Sequence, residues 1–187
     1  MAGPYILRAR LYLTDGQRVP AADVLKRGIA ANPGDQQLPL MLADLLGSMG
    51  RVPEAIAMYD GALQRNPSLD VAANNMAQLI ADHQYSDPQA LEKARRVAER
   101  FVTTANPLYQ DTLAWVYVRQ GQVDRALPIL ARITGEKGIP KQVNYHYGKA
   151  LMMNGDKAAA KQQLELAVSD AKPYPGIDDA RQLLGQL

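Results

Sequence analysis

Apolar and small residues recur along this chain at helical spacing, in paired segments separated by a glycine. In one such pair, Ala114 is followed three residues later by Tyr117, and Gly121 then interrupts the pattern. Ala126 and Leu130 resume it four residues apart. Spacings of three and four residues place side chains on one face of an α-helix. The pattern therefore predicts two helices joined by a tight turn, with small residues where the helices touch.

The same pattern returns every 34 residues, as the positions of Ala9, Ala43 and Ala77 show. The interval also separates other small or turn-forming residues: Gly16 and Gly50, Pro33 and Pro67, Gly121 and Gly155, Ala126 and Ala160. A 34-residue period with this arrangement is the signature of the tetratricopeptide repeat (TPR). The chain thus resembles a TPR array over nearly its whole length.

This resemblance implies an all-α fold, a TPR solenoid forming a right-handed superhelix of five helix-turn-helix repeats plus a C-terminal capping helix. Small residues are needed because two helices approach to about 8–10 Å only where short side chains meet. A cap is needed because a stacked array must cover its last apolar face. We expect one array over residues 1–187, with repeats at approximately 2–35, 36–69, 70–106, 107–140 and 141–174 and the capping helix at 176–187.

The third repeat departs from the pattern. Ala77 and Ala94 lie 17 residues apart, whereas the corresponding residues Ala9 and Ala21 lie 12 apart. The extra residues predict a longer loop at 82–86 and a second helix that begins late, after Asp87-Pro88.

Composition argues against catalysis and against nucleic acid as a partner. Lys+Arg 21 and Asp+Glu 19 leave a formal net charge of +2, and the two signs are interspersed, which gives no basic surface for a polyanion. No cysteine is present, which excludes disulfides and thiolate nucleophiles. His83 and His146 have no metal-ligand spacing, and no phosphate-binding glycine loop or nucleophile motif occurs. We expect a protein that is not an enzyme and binds no cofactor or metal.

The sequence contains no apolar run of the roughly 18 residues that would indicate a membrane span. It enters its first repeat almost directly, so we expect it to be a fragment of a longer protein, trimmed at a repeat boundary. Three stretches, NNMAQLIAD, DTLAWVYVRQGQVDRALPIL and YHYGKALMMNGDKAAAKQQLELAV, are similar to bacterial TPR proteins of exopolysaccharide and exosortase (PEP-CTERM) loci. That resemblance implies a scaffold in the periplasm or at the outer membrane, with a cytoplasmic location as the alternative.

In TPR proteins the first helices of successive repeats line a concave surface that binds a protein or peptide. Carried over by register, this implies a partner-binding face formed by Asn74, Asn75, Gln78, Asp111, Trp115, Arg119, Tyr145 and Lys149. Amide side chains bond peptide backbone, and a tryptophan offers a large apolar contact. Two structural alternatives stay open. Trp115 could pack in the core between first helices, and Asn74 and Asn75 could bridge adjacent helices without binding a partner.

Two further hypotheses compete with peptide binding. One is a helical-repeat RNA-binding module, which would require a basic phosphate-contacting surface. The other is self-assembly through the exposed terminal repeat, at Tyr5, Leu7 and Leu11. A chaperone-tail adaptor is not expected. Such TPR domains hold a terminal carboxylate with basic and amide side chains, and the corresponding positions here are Leu40, Asp44, Leu108 and Thr112. The basic charges are absent, and Asp44 would repel a carboxylate.

Overall fold

The structure, a computed structural model, describes residues 1–169 and 172–187, and the regular secondary structure in these ranges is all helical. The two remaining positions, 170 and 171, belong to the predicted fifth repeat and lie outside the described residues. The predicted all-α fold class is confirmed. The described part contains eleven α-helices and one 3-10 helix: α1 (Gly3–Thr14), α2 (Arg18–Ala31), α3 (Gln37–Ser48), α4 (Val52–Arg65), α5 (Asp70–His83), α6 (Pro88–Ala98), the 3-10 helix (Glu99–Thr103), α7 (Pro107–Arg119), α8 (Val123–Ile133), α9 (Lys141–Met153), α10 (Lys157–Val168) and α11 (Ile177–Leu184).

The chain divides into two compact units, Met1–Leu79 and Ile80–Leu187. In the first unit α1 packs on α2, α2 on α3, and α3 on α4. In the second unit the packing runs in sequence from α6 to α11, and α7 also contacts α9. None of the described helices combines the length and the apolar character that a membrane span requires.

The predicted glycine turns share one geometry. At Gly121 the backbone takes a φ of +74°, a conformation that glycine adopts without a Cβ clash. The N–H of Gln122 donates to the carbonyl of Tyr117 at 2.9 Å, and the N–H of Gly121 donates to that of Val118 at 3.0 Å. This pair of bonds is the Schellman motif that ends a helix. The same two bonds recur at Gly16, Gly50 and Gly155. The glycines that recur in the sequence therefore mark the C-terminal ends of helices.

The small residues that carry the period lie where helices meet. Ala9, Ala43 and Ala77 are all 0% exposed, as are Ala114 and Ala126. Burial of this kind lets neighbouring helix backbones approach closely. The alanine spacing was therefore a correct guide to the helix contacts.

The irregular third repeat is partly as predicted. Helix α6 begins at Pro88, and the Asp87 carboxylate caps it by accepting from the N–H groups of Gln89 and Ala90 at 2.8 and 3.2 Å. The prediction of a loop at 82–86 is wrong for its first two residues, because α5 continues through His83. The carbonyl of Ile80 accepts a further bond from Gln84 N–H at 2.8 Å, so the helical pattern persists and the irregular loop begins only after it.

The first helix is not uniformly exposed on its predicted apolar face. Leu7 and Leu11 are 63% and 60% exposed, as expected for that face. Tyr5 instead packs against the buried core of the first unit, and a Cβ at Gly28 would come within 2.9 Å of Tyr5 Cβ. The exposed apolar surface of α1 is thus narrower than the sequence predicts.

Candidate functional site

A pocket of about 320 Å³ opens in the second unit, between α7, α9, the start of α11 and the end of α5. We call it the α7–α9 pocket. Its lining combines three aromatic rings with acidic and basic groups: Asp82, His83, Tyr85, Trp115, Arg119, Tyr145, Lys149, Pro175, Gly176 and Asp179. This mixture of flat apolar surface and a few convergent polar groups is typical of a binding site.

Trp115 forms the rigid wall of the pocket. Its side chain is 1% exposed, and its indole Nε1 donates to Asp82 Oδ1 at 2.7 Å. The indole also stacks on the imidazole of His146, with ring centroids 4.0 Å apart and planes 13° from parallel. His146 Nδ1 lies 2.9 Å from Asp111 Oδ1. The contacts with Asp82 and His146 therefore fix the orientation of the tryptophan, and Asp111 in turn holds the imidazole in place.

Arg119 lies against two aromatic rings at one side of the pocket. Its guanidinium carbon is 4.1 Å from the ring centroid of Tyr85 and 4.2 Å from that of Trp115. Cation–π contacts of this kind stabilise an arginine without using its N–H donors. Its Nε is buried and has no hydrogen-bond partner in the described part of the chain. The pocket thus holds a fixed cation with an unused donor.

The opposite side of the pocket is an internal polar cluster formed with α11. Tyr145 Oη and Lys149 Nζ both donate to Asp179 Oδ2, each at 2.6 Å. Burial opposes ionisation, but these two donors hold the pKa of Asp179 below its ordinary value. Burial, with the bond to Asp179, raises the pKa of Tyr145 above its ordinary value. Asp179 is therefore an anion held by two donors from α9.

Gly176 lets the chain enter α11 directly over Tyr145. Its φ is +96°, and a Cβ at this position would lie 2.4 Å from Tyr145 Cε1. Only glycine fits both the left-handed conformation and the close approach. The pocket rim at this point depends on that one residue.

Asp82→Asn is expected to stabilise the protein near neutral pH and to have little effect in acid. Burial raises the pKa of Asp82 above its ordinary value. Between the ordinary and the raised pKa, the folded chain keeps a proton that the unfolded chain has lost, so the stability of the unmodified protein falls as pH rises through this window. An asparagine oxygen still accepts the indole N–H without carrying the charge.

Urea unfolding of both proteins at a series of pH values measures this effect. The expected result is a stability difference that is small below the ordinary pKa of aspartate, grows through the window and is constant above it. A difference that is independent of pH, or an Asp82→Asn variant that is less stable than the unmodified protein at neutral pH, would contradict the explanation.

The structure brings together half of the sequence-predicted site residues. Trp115, Arg119, Tyr145 and Lys149 line the pocket, while Asp111 lies beneath it, bonded to His146. Trp115 is at once a core residue and a pocket wall, so its two proposed roles are compatible. Sequence reasoning missed six lining residues: Asp82, His83, Tyr85, Pro175, Gly176 and Asp179.

The three other predicted site residues belong to the first unit. Asn75 Nδ2 donates to Asp44 Oδ1 at 3.1 Å and to Tyr59 Oη at 3.3 Å, and Tyr59 Oη also donates to Asp44. Asn74 Nδ2 donates to Asn75 Oδ1 at 3.2 Å. These bonds bridge α3, α4 and α5, as the structural alternative for the asparagine pair requires. Gln78 is partly buried on α5.

Comparison with known proteins agrees with this architecture. The sequence model of the family described as "Tetratricopeptide repeat" matches residues 6–70, 40–107 and 112–175. No curated protein sequence matches the chain. The narrower similarity to exopolysaccharide-locus proteins finds no support in these matches and stays a prediction.

Several solved structures are similar in fold. MamA from Desulfovibrio magneticus RS-1, residues 41 to the end, is 16% identical with a TM-score of 0.68, covering 99% of this chain and 96% of that one. PilW, a type IV pilus biogenesis factor, is 13% identical with a TM-score of 0.74, covering 98% and 86%. YrrB, a TPR protein with an unusual peptide-binding site, is 23% identical with a TM-score of 0.60, covering 88% and 82%. At these identities the similarity shows the fold alone.

Proposed function

The chain belongs to the tetratricopeptide-repeat family, and from this premise we propose that it holds a segment of a partner protein in the α7–α9 pocket. As a TPR-type protein it is a protein-interaction scaffold. The choice of this pocket goes beyond the family assignment, which does not by itself say which surface of the protein binds the partner.

The observation that carries the proposal is the fixed tryptophan beside an unsatisfied polar group, the Nε of Arg119. Trp115 is already oriented by Asp82 and His146, so its side chain loses no conformational entropy when a partner binds. Rigid aromatic and arginine side chains in a pocket are the residues that most often dominate binding energy at protein interfaces. A volume of about 320 Å³ is at the lower end of ligand pockets, which suits one anchoring side chain of a longer segment.

Tyr85→Ala is expected to weaken partner binding. Tyr85 is 51% exposed at the pocket and lies over Arg119, so its removal takes away contact surface and loosens the arginine. Loss of such an anchor costs about tenfold in Kd. Trp115 is the one tryptophan of the sequence, so its fluorescence reports binding of peptides selected on the protein from a library of short random sequences.

Leu166→Ala is the matched control, because Leu166 is 46% exposed on α10 and outside the pocket. Its Kd is expected to equal that of the unmodified protein. If no selected peptide changes Trp115 fluorescence, or if only the Leu166 variant binds more weakly, the pocket is not the binding surface.

The narrower part of the proposal is a role in a bacterial envelope system for exopolysaccharide assembly. Its support is the similarity of three sequence stretches in and around the second unit to exopolysaccharide-locus TPR proteins. Fractionation of the source cells tests it on the full-length protein. Recovery with the periplasm or outer membrane supports the role, and recovery in the cytosol contradicts it.

A further inference from the structure

The cations of the second unit differ in how they are paired. Arg95 contacts Glu92 at 2.7 Å and Glu99 at 2.9 Å, and Arg125 contacts Glu99 at 2.6 Å. Lys149 contacts Asp179 at 2.6 Å. Arg119 has no ion-pair partner among residues 1–169 and 172–187, although Asp82 and Asp179 line the same pocket. The charge of Arg119 acts on both of these carboxylates, but neither forms an ion pair with it, so the guanidinium can still pair directly with a ligand anion.

The surroundings of Arg119 prepare it for one kind of anion. Its contacts are with the rings of Tyr85 and Trp115, and a guanidinium in contact with aromatic rings keeps its N–H groups available at the edge. Its buried Nε has no hydrogen-bond partner within the described residues, and an unsatisfied buried donor is costly until a ligand accepts from it. The planar fork of N–H groups matches a carboxylate, which accepts two parallel bonds.

We propose that Arg119 receives the carboxylate of an acidic side chain, Asp or Glu, from the partner segment that binds in the α7–α9 pocket. This inference rests on the proposed function and specifies the chemistry of its partner. It differs from the capture of a chain terminus, because the positions of a terminal-carboxylate clamp are occupied here by Leu40, Asp44, Leu108 and Thr112, which supply no basic group.

The same pocket already contains an example of such an arrangement. Asp179 is carried on helix α11, and its carboxylate accepts from Lys149 Nζ and Tyr145 Oη. A side-chain carboxylate presented by a helix therefore fits against this face of the unit. Arg119 offers a second cationic position, on α7, with which no carboxylate of residues 1–169 and 172–187 forms an ion pair.

The other charges of the pocket favour an acidic ligand over a basic or neutral one. Lys149 and Asp179 neutralise each other. Asp82 accepts the indole N–H of Trp115 and forms no ion pair with Arg119 in the described part of the chain. A cationic side chain would meet Arg119 at close range, and a neutral one would leave its charge unpaired.

The experiment uses two synthetic libraries of short random peptides, both acetylated at the N-terminus. One library ends in a carboxamide and the other in a free carboxylate. Peptides retained by the immobilised protein are sequenced, and one acidic peptide is then titrated by Trp115 fluorescence. The expected result is enrichment of Asp and Glu in peptides from the carboxamide library, and loss of this enrichment with Arg119→Gln.

For the single peptide, Arg119→Gln and an Asp-to-Asn change in the peptide are each expected to raise Kd about tenfold, since a charge-assisted hydrogen bond is lost in either case. The two changes together should cost little more than one of them, because they remove the same contact. Arg96→Gln is the matched control, since Arg96 is 73% exposed on α6 and its loss changes net charge equally outside the pocket.

The outcomes separate this inference from the proposed function. Retained peptides without acidic enrichment, the same enrichment with Arg119→Gln, or enrichment only among free C-termini would each overturn the side-chain carboxylate. If the Arg119 variant folds poorly, the Asp-to-Asn change in the peptide still tests the side-chain carboxylate, because it is measured on the unmodified protein. Absence of any peptide that alters Trp115 fluorescence would instead overturn the pocket itself.

Discussion

Leu113→Ala is expected to lower the free energy of unfolding by about 2–5 kcal/mol. Leu113 is 0% exposed, and it lies on a helix whose residues 110–118 are all buried. This helix, α7, packs against α6, α8 and α9. Because these helices also pack on their own neighbours, they cannot move inward to fill the space that the leucine side chain leaves. The variant should therefore retain most of the cavity, whose cost adds to the lost burial of the side chain.

Urea denaturation followed by circular dichroism measures the loss. Leu166→Ala is the control, because Leu166 is 46% exposed and its substitution should change stability by less than about 0.5 kcal/mol. Equal losses in the two variants would mean that α7 is not the packed centre of the second unit.

Gly148→Ala is expected to destabilise the second unit despite the better helix propensity of alanine. A Cβ at Gly148 would lie 2.7 Å from Leu164 Cγ, 2.9 Å from its Cδ2 and 3.3 Å from its backbone N. The leucine branch point and the backbone cannot both move away unless α9 and α10 separate. Overpacking of this kind costs about 1–3 kcal/mol, which exceeds the roughly 1 kcal/mol that alanine gains over glycine within a helix.

Gly61→Ala in α4 provides the comparison, because the nearest atom to its added Cβ is Arg65 Nη1 at 3.9 Å. This variant should be neutral or more stable, by up to about 1 kcal/mol. The midpoints of urea unfolding for the two variants should therefore move in opposite directions. If Gly148→Ala also raises the midpoint, the helices are not in close contact at this position.

The periodicity of the sequence was sufficient to predict the helices and their turns. Glycine at a fixed position after four of the five first helices marks Schellman bonds such as those at Gly121 and Gly155, and such local geometry is encoded by local residues. The end of α5 was mispredicted, because loop length was inferred from the gap between Ala77 and Ala94 alone. Spacing gives the number of residues between two helix contacts, but it does not say which of them continue the helix.

The pocket was only partly predictable, although one signal was present in the sequence. The bonded pairs Trp115 with Asp82, Tyr145 with Asp179 and His146 with Asp111 lie 33, 34 and 35 residues apart. Each is close to one repeat, because equivalent positions on neighbouring first helices face each other. A search for polar pairs at this interval would have found Asp82 and Asp179.

Other features of the pocket have no such signal. Tyr85 lies in the loop between α5 and α6, and its contact with Arg119 depends on the conformation of that loop. Position 176 requires glycine because the Tyr145 ring lies so close to it, and this proximity arises only from packing in three dimensions. Binding residues on irregular segments are therefore the part of this site that requires the structure.

Site-specific photocrosslinking in the source cells tests the central claim most directly. Benzoylphenylalanine is placed at Tyr85, beside the α7–α9 pocket, or at Leu166 on α10, two positions of similar exposure at 51% and 46%. The proposed pocket predicts a discrete crosslinked partner from position 85 and none from position 166. A partner captured from position 166 alone would show that the protein binds through another surface.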